Sequence, residues 1–310
     1  MLWLFYKLSS ILKLRGELME IIKINGITKD YGNQRGCFDV TFSVNEGEIF
    51  GFLGPNGAGK TTAIRQLMGF IQSDRGNCSI FGYDCFNESH LIQPRLGYIS
   101  GELTLMDNME VNAFLKLVMD IKDVKTREII DELIEILEIK PSGKIKKMSK
   151  GMKQKIAIIA AFVNDPEVLI LDEPTSGLDP LIQNRFINYI LKLKEKGKTI
   201  LMSSHMFDEV EKSCDRIAII KEGKIVEVES IESIRNKAKS NFTVKFKNIE
   251  DIMEFKKYSY DIIEQKDDTL LISVDSDIDK FIKILSKYSI LALTSKQQSL
   301  EEMFMHFYGE

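Results

Sequence analysis

The sequence predicts an α/β fold with a mainly parallel sheet, followed by a smaller α/β domain. Short apolar runs at 49–53, 168–171 and 199–202 suit buried strands, and helical segments alternate with them. Polar residues follow each run, which indicates a ligand site at the carboxyl ends of the strands. After residue 229 the composition changes, and residues 241–310 contain no proline and almost no glycine. We therefore expect two domains, of which the larger comes first.

Length and charge narrow the classes of protein to consider. At 310 residues the chain can form one large and one small domain, and no apolar run approaches the roughly 18 to 20 residues that span a bilayer. We expect any membrane function to depend on a partner. The net charge of −4 lies in residues 241–310, which contain nine lysines and thirteen acidic residues. This balance argues against nucleic acid as a partner, since a nucleic-acid binder normally carries a basic face.

The first 18 residues differ in character from the sequence that follows. Their apolar part is interrupted by Lys7 and Lys13 and lacks the cleavage site of a secretory signal. Two interpretations remain open: an amphipathic surface segment, or an over-long reading frame. The four cysteines show no paired metal spacing, which is typical of reduced thiols in a cytoplasmic protein. We place the start of the first domain at Met19.

The best-defined motif follows a strand–turn–strand pattern at 20–44 and the apolar run at 49–53. Its spacing is Gly-x-x-x-x-Gly-Lys-Thr, and its residues are Gly54, Pro55, Asn56, Gly57, Ala58, Gly59, Lys60, Thr61 and Thr62. The glycines allow a tight turn whose backbone N–H groups approach a phosphate chain, and the helix that follows directs its positive end at the same anion. Lys60 would reach the outer phosphates, and Thr61 would offer a hydroxyl to Mg²⁺. The alternative is a glycine-rich turn that binds nothing, but the complete match favours a triphosphate-binding loop.

Helical periodicity dominates between residues 103 and 147. Apolar residues fall on one stripe of a helix at 127–137, which we interpret as core packing: Ile129, Ile130, Leu133, Ile134 and Leu137. A helical subdomain at about 103–163 therefore separates the phosphate loop from the next strands. In the second domain, a linker at 231–240 precedes a predicted strand (242–246), helix (249–257), strand (270–274), helix (278–286), strand and helix.

Four later motifs are weak singly and specific in combination. They are Ser149-Lys150-Gly151 before a helix, Asp172-Glu173 after a buried strand, Ser176-Gly177-Leu178-Asp179, and His205 at a strand end. In this order after a phosphate loop, they resemble the ATP-binding cassette (ABC) family over residues 20–230. The segment from Ser299 to Gly309 is similar to a bacterial branch of the family, whose members pair with a separate membrane subunit and often export drugs, peptides or antibiotics.

The resemblance implies a role for each motif. It assigns adenine stacking to Tyr31, for which core packing is the alternative, and Mg²⁺ binding to Thr61 and Asp172. Glu173 would be the general base or orient the attacking water, and His205 would position that water and the γ-phosphate. Ser149, Lys150 and Gly151 would act on the nucleotide of a second copy, and Asp179 would touch that copy.

The chain departs from the family at two places. The family has a glutamine after the position of residue 100, where this chain has Gly101 followed by Glu102. Glu102 becomes an alternative oxygen ligand for Mg²⁺. In the family's signature motif, which begins at Ser149 in this chain, Lys150 replaces the middle glycine and Met152 replaces the glutamine. Because Ser149 and Gly151 remain, we interpret this as variation within a branch and expect activity to be retained.

The family resemblance predicts a P-loop ATPase that uses ATP and Mg²⁺, forms a homodimer on ATP and drives an integral membrane permease from the cytoplasmic face of the membrane. The alternative within the family is a non-transport ATPase of the DNA-repair or translation type. Such proteins usually carry a long coiled-coil insertion or two cassettes, and this sequence has neither. A metabolic P-loop kinase would not explain Ser149 to Gly151 or His205.

Overall fold

A computed structural model describes residues 19–237, 240–274 and 277–303. These residues form two compact units, with the boundary between Ile231 and Glu232. The segment at 1–18, for which two interpretations were open, lies outside the described residues. So do residues 304–310, which include most of the segment that is similar to the bacterial branch.

The first unit contains ten strands within its described residues. In chain order they are β1 (Glu20–Asp30), β2 (Gly36–Asn45), β3 (Ile49–Leu53), β4 (Arg75–Ile80), β5 (Tyr83–Asp84), β6 (Leu96–Ile99), β7 (Val168–Asp172), β8 (Thr199–Ser204), β9 (Arg216–Lys221) and β10 (Lys224–Ser230). Its helices are α1 (Lys60–Leu67), α2 (Ser89–Ile92), α3 (Val111–Ile121), α4 (Glu128–Ile136), α5 (Lys150–Phe162), α6 (Pro180–Glu195) and α7 (Phe207–Ser213). Helix α8 (Ile231–Lys237) begins at the last residue of this unit.

The central sheet has the strand order β10-β9-β3-β8-β7-β6. All neighbours are parallel except β10 and β9, so the predicted mainly parallel sheet is confirmed. Every residue of β3, β7 and β8 is buried, because the sheet is covered on both faces. Asp172 pairs with Ser203, and Leu53 pairs with Ser204. The carboxyl ends of three strands therefore meet at one edge.

A second sheet covers one face of the phosphate-loop helix. It is antiparallel, with the order β2-β1-β4-β5, and its apolar side joins the core that includes α1. Phe42 of β2 stacks on Phe50 of β3 with ring centroids 5.0 Å apart. This packing fixes the strand before the phosphate loop against the hairpin that contains Tyr31.

The helical segment between β6 and β7 contains α3, α4 and α5. On the predicted stripe of α4, Ile130 and Leu133 are buried and Ile129 and Ile134 are half-buried. The last residue of the stripe, Leu137, follows the helix end and is also buried. The stripe therefore packs inward, as helical spacing predicts.

The second unit forms its own four-stranded sheet. Its elements are β11 (Ser240–Phe246), α9 (Ile249–Phe255), β12 (Asp261–Lys266), β13 (Thr269–Val274), α10 (Ile278–Leu285) and β14 (Ile290–Gln297). The order β12-β13-β11-β14, antiparallel throughout, is the split-βαβ arrangement of ferredoxin-like folds. Strand β12 was not predicted from the sequence, because this edge strand is mostly exposed and polar and shows no apolar alternation.

Candidate active site

The phosphate loop has a backbone that requires glycine. Gly57 and Gly59 have φ angles of 82° and 104°, in the left-handed region. A Cβ on Gly54 would lie 2.4 Å from the carbonyl oxygen of Ile220, and one on Gly59 would lie 2.5 Å from that of Gly36. The loop therefore fits between β9 and the start of β2, and α1 begins immediately after it at Lys60. This is the geometry in which a helix N-terminus and loop N–H groups bind an anion.

Lys60 is folded back over the loop. Only 5% of its side chain is exposed, and its Nζ donates to the carbonyl oxygens of Gly54 at 2.6 Å and Pro55 at 3.2 Å. The same Nζ lies 3.3 Å from Oε1 of Glu173. The ammonium group is thus held at the mouth of the loop, where a phosphate chain would compete with these oxygens for it.

A hydroxyl and a carboxylate meet beside Lys60. Thr61 Oγ1 donates to Oδ2 of Asp172 at 2.8 Å, and the hydroxyl of Ser203 donates to Oδ1. Asp172 is fully buried, and among the described residues it forms no ion pair with lysine or arginine. The described residues contain no cluster of three or more His, Cys, Asp or Glu side chains suited to a metal. A hydroxyl and a buried carboxylate fit Mg²⁺, since that ion typically takes one or two protein oxygens and completes its shell with phosphate and water.

Glu173 and His205 are brought together by the register of β7 and β8. Glu173 has a φ of 50°, uncommon outside glycine, and its N–H donates to the backbone and side-chain oxygens of Ser203. Its Oε2 lies 3.3 Å from Nδ1 of His205. The Glu173 carboxylate therefore bridges Lys60 and His205, and the strained backbone directs it at the edge where the strands end.

Gly101, which stands where the family has glutamine, lies directly beside the Asp172 side chain. A Cβ at this position would lie 2.9 Å from Oδ2 of Asp172, an atom already fixed by Thr61. Glu102 is paired with Arg65, with 3.2 Å between Oε2 and Nη2, and 84% of its side chain is exposed. The structure thus places the backbone of Gly101, and not the Glu102 carboxylate, beside Asp172.

The signature motif lies against the loop that follows Glu173. Ser149 caps α5 by accepting the N–H of Met152 at 3.2 Å. A Cβ on Gly151 would lie 2.5 Å from the carbonyl oxygen of Gly177, and Lys150 Nζ lies 3.4 Å from Oγ of Ser176. The signature (residues 149–151) and the D-loop (residues 176–179) of one chain are therefore in contact.

The remaining predicted residues, Asp179 and Tyr31, lie at a helix N-terminus and at a hairpin. Asp179 caps α6 through the N–H of Ile182 at 3.1 Å. Tyr31 lies at the β1–β2 hairpin with 55% exposure, so its ring is not part of the core. Among the described residues, no hydrogen bond or ion pair joins Tyr31 or Ser149 to the group formed by Lys60 and its neighbours. Ser203 was not predicted from the sequence, although a hydroxyl at the end of a buried strand was a usable signal.

This fold and site define a nucleoside-triphosphatase of the phosphate-loop class. Comparison with known proteins narrows the class. Residues 37–176 match the family model described as ABC transporter. The chain is 34% identical over 305 residues to the bacitracin transport ATP-binding protein BcrA of Bacillus licheniformis, covering 93% of this chain and 97% of that protein.

Two further comparisons agree. The linearmycin resistance ATP-binding protein LnrL of Bacillus subtilis is 34% identical over 213 residues, covering 67% of this chain and 68% of that protein. A solved structure of the ATP-binding subunit of an ABC transporter matches with a TM-score of 0.64 and 30% identity, covering 69% of this chain and 92% of that one. The chain belongs to the ATP-binding proteins of ABC transporters, as the motifs predicted, and it is an ATPase.

Proposed function

We propose that this chain hydrolyses MgATP as a homodimer and thereby drives a separate membrane permease that exports a drug, antibiotic or peptide. The observation that carries the proposal is the Glu173 carboxylate, which lies 3.3 Å from both Lys60 Nζ and His205 Nδ1. These three groups stand at the carboxyl edge of the sheet, beside the phosphate loop.

The phosphate loop and Lys60 bind the triphosphate. Loop N–H groups and the N-terminus of α1 face the anion, and Lys60 exchanges its carbonyl partners for phosphate oxygens. Thr61 and Asp172 would hold Mg²⁺, which when bound neutralises charge that develops on the phosphates. Ser203 keeps the Asp172 carboxylate oriented for this task.

Glu173 and His205 act on the attacking water. Glu173 accepts its proton or orients it, a role typically worth roughly 10² to 10⁴ in rate. His205 donates a hydrogen bond toward the γ-phosphate from the neighbouring strand end. When a triphosphate draws Lys60 away, the Glu173 oxygen that Lys60 now contacts becomes available to the water.

The second half of each site comes from a second copy. Ser149 and Gly151 present a hydroxyl and an N–H group at the N-terminus of α5, which suits the γ-phosphate of the partner's nucleotide. In one chain Lys150 and Gly151 of the signature lie against Ser176 and Gly177 of the D-loop, the loop that ends at Asp179. Closure of two chains on ATP is the step that would be transmitted to the permease.

The test of the ATPase site is Glu173→Gln. The amide cannot accept a proton from water, so hydrolysis should be abolished while ATP affinity is retained. The variant should accumulate as an ATP-bound dimer in size-exclusion chromatography. The matched control is Glu135→Gln, a change at an exposed position of α4 that should leave turnover unaltered. Turnover near wild type in Glu173→Gln would remove this residue from its assigned role.

The transport part of the proposal rests on the relatives. Those named for bacitracin transport, linearmycin resistance and Nod factor export align with this chain. In the part of the chain that the structure describes, no helix is both long and apolar enough to cross a bilayer. From the relatives named for transport and export, we infer that the chain works at the cytoplasmic face of the membrane, bound to a permease.

Purification of the tagged chain from membranes should recover one integral membrane protein in stoichiometric amount. Inverted vesicles containing that complex should accumulate an exported peptide antibiotic such as bacitracin only with ATP, and a Lys60→Ala complex should not. ATP-driven movement in the opposite direction would contradict export.

A further inference from the structure

A buried carboxylate outside the predicted site joins two catalytic loops. Glu209 lies in α7 and is 7% exposed. One of its oxygens accepts the hydroxyl of Thr175, and the other accepts the hydroxyl of Ser204 at 2.8 Å. Among the described residues it has no lysine or arginine partner. Burying a carboxylate without a cation is costly, and two hydroxyl donors only partly offset the lost hydration.

Each partner of Glu209 is close in sequence to a catalytic residue. Ser204 precedes His205, and its Oγ also accepts the N–H of Met206 at 2.9 Å, which closes the turn around the histidine. Thr175 follows Glu173 by two residues, and its carbonyl oxygen accepts the N–H of Leu178 at 3.0 Å. Glu209 therefore holds the backbone on both sides of the contact between Glu173 and His205.

We propose that Glu209 is a positioning residue for ATP hydrolysis, whose carboxylate fixes the loop of His205 against the loop of Glu173. The proposal rests on the ATPase function described above. Glu209 is buried behind the two loops and acts through Thr175 and Ser204. It acts by keeping Nδ1 of His205 within reach of the Glu173 carboxylate, and by linking the Asp179 loop, through Thr175, to the histidine.

The first test separates catalysis from binding. Glu209→Ala should lower kcat about 10- to 100-fold, the scale expected when catalytic groups are misplaced by about 1 Å. The KM for ATP should change less than about threefold, because the phosphate loop is not altered. Glu209→Gln should recover part of kcat, since its amide can still bond both hydroxyls. Thr175→Val removes one of the two bonds and keeps the carboxylate, so it should lower kcat by a smaller factor even if Glu209→Ala folds poorly.

The matched control is Glu48→Gln. Glu48 is also a buried carboxylate, bonded to the N–H of Asn45 and to Arg216, but it lies outside the catalytic loops. This change should leave kcat within about twofold of wild type, since it disturbs no group that positions water or phosphate. A loss of kcat equal to that of Glu209→Ala would mean that any disturbed buried carboxylate has the same effect, and would overturn the proposal.

A spectroscopic test does not depend on turnover. The chain has three histidines, so the imidazole resonances of His205 can be assigned with one substitution. The His205 resonances should shift in Glu209→Ala and Thr175→Val and stay unchanged in Glu48→Gln. The His90 resonances should stay unchanged in all three variants. If the wild-type chain is active and Glu209→Ala changes neither the His205 resonances nor kcat, the positioning role is overturned. An inactive wild type whose His205 resonances still depend on Glu209 would contradict the ATPase function alone.

Discussion

The Oε2 of Glu173 lies 3.3 Å from Nδ1 of His205, although the two residues follow different strands. The parallel pairing of β7 with β8 sets Asp172 opposite Ser203, and this register brings the two side chains to the same edge. Because Lys60 contacts the other oxygen of Glu173, the carboxylate connects the phosphate loop to the histidine. The geometry makes His205 a partner of Glu173, the residue that we propose activates the water.

Replacement of His205 by alanine should therefore impair the chemical step. We expect His205→Ala to lower kcat about 10²-fold, the lower end of the range for a group that aids proton transfer. The KM for ATP should stay within about threefold, because the phosphate loop lies on another strand. Steady-state ATPase assays measure both constants. His90→Ala, at an exposed position, is the matched control, and wild-type kcat in His205→Ala would contradict the assignment.

Restoring the family's glutamine should be harmful in this chain. Gly101→Gln would place a Cβ 2.9 Å from Oδ2 of Asp172, so the carboxylate must move away from Thr61. We expect the Mg²⁺ concentration for half-maximal ATPase activity to rise about tenfold, as it does when groups that orient a ligand are disturbed.

A parallel Mg²⁺ titration of Glu102→Gln tests the alternative ligand. An unchanged Mg²⁺ requirement would show that Glu102 pairs with Arg65 and is not a Mg²⁺ ligand. A raised requirement would show that Glu102 is a ligand. A Gly101→Gln chain with the wild-type Mg²⁺ requirement would contradict the prediction, because it would show that the added side chain does not disturb Mg²⁺ binding by Asp172.

The parts of the molecule that were predicted correctly are those fixed by local pattern. The spacing of the glycines predicted the phosphate loop, and uninterrupted apolar runs predicted the strands β3, β7 and β8. The edge strand β12 was missed, since a mostly exposed strand needs no apolar alternation. Glu209 was also missed. Its role depends on a contact between α7 and the loop after β7, and no spacing rule connects a helical glutamate to Thr175.

The cysteines should be unreactive in the native protein. All four are buried; burial raises the pKa of the Cys214 thiol to about 12, and a hydrogen bond with Cys78 together with burial raises the pKa of Cys85. Since the thiolate is the nucleophile, its fraction at about pH 8 is very small for groups with raised pKa values. An aromatic disulfide reagent should label the folded chain no faster than it unfolds, and should label four thiols in denaturant. Rapid labelling of a native thiol would contradict the burial of that cysteine.

The central claim is that each ATP site combines Lys60 of one chain with Ser149 of another. Lys60→Ala alone and Ser149→Arg alone should each be inactive in the presence of the membrane partner. When the two variants are mixed, a heterodimer contains one site with both defects and one site with none. Heterodimer formation on ATP is followed with two different affinity tags.

The most direct measurement is ATP hydrolysis by purified, doubly tagged heterodimer. The shared-site account predicts recovery of measurable turnover, up to about half of wild type if sites act independently, against none in either homodimer. Heterodimers that form readily on ATP and still show no hydrolysis, while a heterodimer of wild-type and Lys60→Ala chains remains active, would contradict the account. That result would place Lys60 and Ser149 at the same nucleotide within one chain.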